Sequence, residues 1–89
     1  MEEMRIPLRR PEGTVQVREE GLQAVISARA ADDGGGLYKL HLLGKGGSLL
    51  LGTMLPEGGV PRLRRTIPVD QLRRQGMWPP TGAEIRLAY

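Results

Sequence analysis

Apolar and polar residues alternate along most of this chain from residue 13 onwards. Val15 and Val17 alternate with polar neighbours, and the residues that follow a turn at 19–21 do the same. The second run places five apolar residues on one side: Leu22, Ala24, Ile26, Ala28 and Ala30. A period of two is typical of a strand with one buried face, so the two runs predict a β-hairpin. A helix over 20–31 is the alternative, because Ala and Leu favour helices.

Strand-like patterns return in four more runs. Residues 37–43 and 48–55 flank the glycine-rich turn 44–47 and predict a second hairpin. Residues 60–67 alternate Leu63, Arg65 and Ile67 against Arg62, Arg64 and Thr66, and Pro68 ends that run. A final strand would place Ile85, Leu87 and Tyr89 inward. Between these last two runs, residues 69–75 predict one short helix that Gly76 ends.

The predicted fold class is therefore all-β, with about six strands in a meander of hairpins and one short helix near residues 69–75. A sheet this long with one apolar face must curl or fold over, which predicts a small barrel or sandwich. Residues 13–89 are predicted to form a single β domain. Residues 1–12 are an N-terminal arm in which Pro7 and Pro11 block a helix while Met4, Ile6 and Leu8 alternate. The arm is either a frayed tail or a docked edge strand.

Composition narrows the chemistry that this chain can perform. A length of 89 residues suits one core, and the absence of cysteine excludes disulfides, thiolate metal sites and cysteine nucleophiles. The first residues lead into no apolar run of signal-peptide length, and the longest apolar stretch, 49–51, is too short to cross a bilayer. We therefore expect a cytoplasmic location and no membrane partner.

The turn and core residues resemble those of an uncharacterised family of small β-rich proteins from Gram-positive bacteria. The residues that carry the resemblance are Gly13, Val15, Val17, Gly21, Leu22, Leu51, Gly52, Pro56, Gly58, Gly59, Ile67, Pro68 and Leu72. The resemblance implies a shared fold and no catalytic residue. The strand at 23–30 departs from the family, because Gln23, Ala24, Ala28 and Ala30 stand where members often have aromatics and cysteines.

No motif in the sequence predicts catalysis, a cofactor or a metal ion. His41, the single histidine, lies on the outward side of its predicted strand, and nothing in the spacing brings Ser27, Ser48 or Asp70 to it as a nucleophilic triad requires. Asp32 and Asp33 lack the remaining ligands of a calcium loop. The segment 44–48 superficially resembles a phosphate-binding loop, but its spacing is wrong and a strand rather than a helix follows.

Positive charge is concentrated in the second half of the chain. Residues 1–36 carry five basic and seven acidic side chains, whereas residues 37–89 carry eight basic and three acidic ones. The candidate nucleic-acid contacts are Arg62, Arg64, Arg65, Arg73 and Arg74, with Asp70 as their only acidic neighbour. Such a cluster could follow a phosphate backbone, although it lacks the aromatics on which single-stranded bases stack.

Two apolar residues are candidates for an interface. Trp78 precedes Pro79 and Pro80 and either anchors a partner or covers one end of the core. The run 48–51 puts leucines on both faces of one strand, so an apolar face containing Leu50 is predicted to self-associate as a homodimer.

Taken together, the sequence favours a non-enzymatic interaction or assembly module with an unknown protein partner. Nucleic-acid binding through the basic cluster at 62–74 is the alternative. A hydrolase built around His41 ranks third.

Overall fold

The structure is a computed structural model that describes residues 3–9, 12–31 and 36–87. The predicted loop at Asp32 and Asp33 and the inward position of Tyr89 lie outside the described residues. The elements, in chain order, are β1 (Glu3–Leu8), β2 (Gly13–Glu20), β3 (Gln23–Ala30), β4 (Tyr38–Gly44), β5 (Gly47–Glu57), β6 (Val60–Pro68), α1 (Val69–Arg74) and β7 (Gly82–Leu87).

The strands form a nearly closed antiparallel barrel in the order β1-β2-β3-β6-β5-β4-β7. The predicted all-β fold, a small barrel or sandwich with one short helix near residues 69–75, is confirmed, and the barrel is the form that the structure shows. Seven strands are described rather than about six, because residues 3–8 pair with β2 as an edge strand. Both predicted hairpins are present, with Val15 opposite Ala28 in the first and Tyr38 opposite Met54 in the second.

The order of the strands departs from a plain meander. β3 pairs with β6 rather than with β4, and β4 pairs with β7 on its other side. This register sets Ala24 opposite Ile67 and Ala28 opposite Leu63, so small residues of β3 face larger ones of β6. A short turn specifies that the two strands it connects pair with each other. β3 and β6 are distant in sequence and share no turn, so no local signal specifies that they pair.

The inward-facing residues of the strands form one apolar core. The most deeply buried large side chains are Val15, Ile26, Leu40, Leu42, Leu51, Met54 and Leu72. Burying a side chain of this size stabilises the fold by roughly 1.5–3 kcal/mol. Ile6 and Leu8 of β1 are also buried, so the chain covers its own apolar sheet face.

The barrel wall opens between β5 and β6. The two strands pair only from Leu55 to Glu57 and from Val60 to Arg62, and the β4–β5 ladder contains a bulge at Leu51. Leu63 fills part of the opening by packing where a side chain on Gly52 would otherwise lie, and Gly52 has φ +147°. Arg65 lies opposite Ile26, on the core side of β6, but is exposed at this opening, and its guanidinium donates a hydrogen bond to the carbonyl oxygen of Leu51.

The short helix α1 closes one end of the barrel. Val69 and Leu72 are buried, and the Val69 amide donates to the Leu22 carbonyl at 3.0 Å. Beyond the helix, Gly76 adopts φ +74° and accepts a hydrogen bond from the Gly46 amide at 3.0 Å. A side chain at Gly46 would lie 2.4 Å from the Gln75 carbonyl oxygen, so the glycines let the two turns touch.

Two residues predicted to be inward are exposed. Leu22 is 86% exposed, because it occupies the two-residue turn between Glu20 and Gln23 and β3 begins one residue later. Leu87 lies on the inward side of β7 opposite Tyr38, yet it is 58% exposed at the end of an edge strand. In both cases the alternating sequence pattern continues beyond the residues that can pack against neighbouring elements.

Candidate binding surface

The outer side of β1, β2, β3 and β6 brings together residues that are far apart in the sequence. Arg62 of β6 lies directly opposite Arg29 of β3, which lies opposite Thr14 of β2. The next row follows the same strands: Arg64, Ser27, Gln16 and Arg5. We call this surface, defined by Arg5, Thr14, Gln16, Ser27, Arg29, Arg62 and Arg64, the arginine face.

The charges on the arginine face are only partly compensated. Arg5 forms an exposed ion pair with Glu3 at 3.3 Å, and Glu3 also accepts a hydrogen bond from Gln16 at 2.7 Å. Within residues 3–9, 12–31 and 36–87, no carboxylate forms an ion pair with Arg29, Arg62 or Arg64. Like charges directly opposite one another on paired strands destabilise a sheet. The Arg29–Arg62 pair therefore carries a local electrostatic cost that a bound anion would relieve.

Two shallow concavities, both open to solvent, meet at Arg62. The first has a volume of about 360 Å³ and is lined by Arg5, Thr14, Gln16, Ser27, Ala28, Arg29 and Arg62. The second has a volume of about 590 Å³ and is lined by Ser27, Ala28, Thr53, Leu55, Pro56, Glu57, Arg62, Leu63 and Arg64. Neither is an enclosed cavity, so the surface suits the docking of an extended chain better than the sequestration of a small substrate.

The five candidate arginines from the sequence occupy three different places. Arg62 and Arg64 share the arginine face, whereas Arg65 faces inward and binds the Leu51 carbonyl. Arg73 and Arg74 lie in the last turn of α1, beyond the opposite end of β6. At about 3.3 Å per strand residue, the length of β6 separates them from Arg62 by roughly 20 Å. Arg29 and Arg5, which sequence analysis did not select, complete the surface: the β3–β6 pairing places Arg29 there, and the β1–β2 pairing places Arg5.

His41 lies on the opposite side of the barrel. It faces outward between Leu50 of β5 and Glu84 of β7, and its Nδ1 atom is inaccessible with no hydrogen-bond partner in the described chain. Burial lowers the pKa of His41, Arg86 and Lys39 lower it further, and Glu84 opposes them. Of the residues considered for a triad, Ser27 lies on the arginine face, Ser48 lies in β5 opposite Leu43 and Asp70 lies on α1, so none of them lies directly opposite His41.

The two candidate interface residues differ in exposure. Leu50 points outward and is 49% exposed, while its neighbours Leu49 and Leu51 turn toward the core. Trp78 is half-buried, packs against the core and precedes a cis peptide bond to Pro79. With Glu3, Met4, Val17, Pro79 and Pro80 it also lines a groove of about 250 Å³. Trp78 thus covers one part of the core, as the lid interpretation expects.

Searches for other kinds of site gave no candidate in the described ranges. No three His, Cys, Asp or Glu side chains there are grouped so as to hold a metal ion. None of the helices in those ranges has the length and apolar character needed to cross a membrane. Comparisons with models of protein families, with curated proteins and with solved structures found no match. The resemblance to a Gram-positive family stays a prediction.

Proposed function

We propose that this chain is a non-enzymatic, cytoplasmic interaction module that docks an acidic segment of a partner protein on the arginine face. The proposal rests on the register of the β3–β6 pairing. Arg29 and Arg62 are directly opposite, Arg64 follows two residues along the same side, and no described carboxylate neutralises the three. Guanidinium groups bind carboxylates through paired hydrogen bonds, and arginine is enriched at protein interfaces.

The surroundings of these arginines favour a protein partner over a nucleic acid. The two described aromatic residues, Tyr38 and Trp78, lie in the core and beside it, so neither offers a stacking platform on the arginine face. Leu55 is 59% exposed and directly opposite Arg62. An exposed apolar side chain among arginines suits a protein interface, whereas nucleic-acid interfaces are more polar and more positively charged.

The proposal is tested by titrating the protein with poly-glutamate and with single-stranded poly-uridine RNA at several salt concentrations. We expect poly-glutamate to bind with an affinity that falls as salt is added, and the RNA not to bind at physiological salt. The double variant Arg62→Glu, Arg64→Glu should lose at least about tenfold in affinity for poly-glutamate. The matched control is Arg73→Glu, Arg74→Glu, which changes the net charge from +3 to −1 in the same way but lies elsewhere.

Three outcomes would contradict the proposal. Equal losses in the two double variants would show that net charge, not the arginine face, governs binding. Tighter binding of RNA than of poly-glutamate at physiological salt, lost with Arg62 and Arg64, would favour the nucleic-acid alternative. No binding of poly-glutamate at low salt would remove the proposed docking role altogether.

A further inference from the structure

The second concavity combines charge with apolar surface. It lies where β5 leaves β6, so residues from both sides of the sheet reach it. Leu55 of β5 is exposed there, and half-buried Leu63 of β6 lies near it in the opening. Arg62 and Arg64 stand along one rim. A ligand seated in this concavity would therefore meet guanidinium groups and an apolar floor within the same few residues.

The charges around this concavity differ between its two ends. Glu57 lies in β5 two residues beyond Leu55, next to the turn into β6. Arg62 lies directly opposite Leu55, and Arg64 lies two residues further along β6, away from Glu57. An incoming carboxylate is repelled at the Glu57 end and attracted at the end where Arg64 lies. A partner segment consequently places its acidic residues over the arginines and an uncharged or apolar residue over Leu55.

The opening in the barrel wall suits a partner chain that is extended. Past Arg62, β6 has no ladder partner on its β5 side among the described strands, apart from the Arg65 side-chain bond to Leu51. Same-side residues of an extended chain recur about every 6.6–6.8 Å, as do Arg62 and Arg64 on β6. An extended segment can thus match the spacing of the two arginines residue by residue.

From these three features we propose that the docked segment is amphipathic, with carboxylates that bind Arg62 and Arg64 and one apolar side chain that packs on Leu55 and Leu63. The inference rests on the proposed function and deepens it by naming the pattern that the surface selects. Carboxylates supply attraction and register, and the apolar side chain supplies the buried contact that charge alone does not give.

Selection from a displayed library of random peptides tests the pattern directly. The wild type should enrich peptides that combine Asp or Glu with an apolar residue between or beside them. Leu55→Ser should keep the enrichment in acidic residues and lose the enrichment in the apolar one. For the best selected peptide, measured by fluorescence anisotropy, Leu55→Ser should weaken binding by about tenfold. Leu22→Ser, another exposed leucine located in a distant turn, is the matched control and should bind as the wild type does.

The possible results separate the two proposals. Selected peptides that are acidic but show no apolar preference, or a Leu55→Ser protein that binds the best peptide as tightly as the wild type, would overturn the amphipathic pattern and leave the docking role standing. Selected peptides without acidic residues would overturn both. Circular dichroism of Leu55→Ser, whose side chain is exposed in the wild type, confirms that a weaker interaction does not reflect unfolding.

Discussion

The barrel has two outer faces that differ in how far their cross-strand pairs of cations are compensated by carboxylates. On the arginine face, Arg29 and Arg62 lie directly opposite each other, and no described carboxylate pairs with either. The outer side of β7, β4 and β5, which we call the Leu50 face, is defined by Lys39, His41, Leu50, Glu84 and Arg86. There Lys39 lies directly opposite Arg86, but the Glu84 carboxylate accepts a hydrogen bond from the Arg86 guanidinium and compensates its charge.

This difference shows where the chain carries uncompensated electrostatic energy. A solvated sheet face normally alternates opposite charges, since these pairs add stability and like pairs remove it. Both faces contain a like-charge cross-strand pair, Lys39–Arg86 on the Leu50 face and Arg29–Arg62 on the arginine face, but Glu84 forms an ion pair with Arg86 whereas no described carboxylate forms one with Arg29 or Arg62. Local departures from stabilising patterns concentrate at functional surfaces. That is why the arginine face, rather than the Leu50 face, is assigned the binding role.

The largest expected effect is on stability, and it distinguishes a residue of the Leu50 face from a residue of the core beneath that face. Leu50 is 49% exposed and Leu51 is 1% exposed, although they are consecutive residues of β5. Leu51→Lys should unfold the protein because it buries an unpaired charge, whereas Leu50→Lys should remain folded with a change below about 1 kcal/mol. Urea unfolding followed by circular dichroism measures both. A Leu50→Lys protein that fails to fold would show that Leu50 belongs to the core.

The same pair of variants tests the predicted homodimer. If the Leu50 face self-associates, light scattering across a concentration series should give a dimer for the wild type and a monomer for Leu50→Lys. Lys39 and Arg86 flank this face, and a two-fold dimer axis would bring these cations close to their copies. A wild type that stays monomeric at high concentration would end the self-association hypothesis.

The next effect concerns the two neighbouring arginines of β6, which differ in what they contact. Arg65 reaches inward to the Leu51 carbonyl, whereas Arg64 lies on the arginine face. Arg65→Ala should lower the free energy of unfolding by about 1–2 kcal/mol, because it leaves a bulge carbonyl without its donor. Arg64→Ala should change it by no more than about 0.5 kcal/mol. Equal effects of the two substitutions would contradict the assigned roles.

Sequence patterns predicted the local structure well and the long-range pairing poorly. Alternation found both hairpins and the helix at residues 69–74, because turn glycines and a period of two are local signals. The β3–β6 pairing depends on how all strands close the barrel, which no local signal encodes. The sequence therefore grouped Arg62 and Arg64 with Arg73 and Arg74 along the chain, and it missed Arg29, which the fold places opposite Arg62.

A smaller effect tests the like-charge pair on the arginine face. Arg62→Glu replaces a repulsive cross-strand pair with an attractive one, so we expect the free energy of unfolding to rise by about 0.5–1 kcal/mol while docking is lost. Arg73→Glu should instead destabilise slightly, by roughly 0.3–1 kcal/mol, because Arg73 lies in the last turn of α1 where a cation is favourable. Urea unfolding at low salt compares the variants. Destabilisation by Arg62→Glu would mean that Arg29 and Arg62 do not repel each other in the folded protein.

The smallest effect belongs to His41 on the Leu50 face and depends on pH. Burial, Arg86 and Lys39 lower the pKa of His41 in the folded protein, Glu84 raises it in part, and apolar Leu50 faces it from β5. Because the folded pKa lies below the unfolded value of about 6.5, the unfolded chain binds more protons in the intervening range. Stability should therefore be complete above about pH 6.5 and decline as the pH falls through the folded pKa.

His41→Gln should remove this part of the decline between about pH 7.5 and pH 5, and the difference between wild type and variant in urea unfolding isolates it from carboxylate titration. Identical pH profiles for the two proteins would show that His41 is as well solvated in the fold as in the unfolded chain.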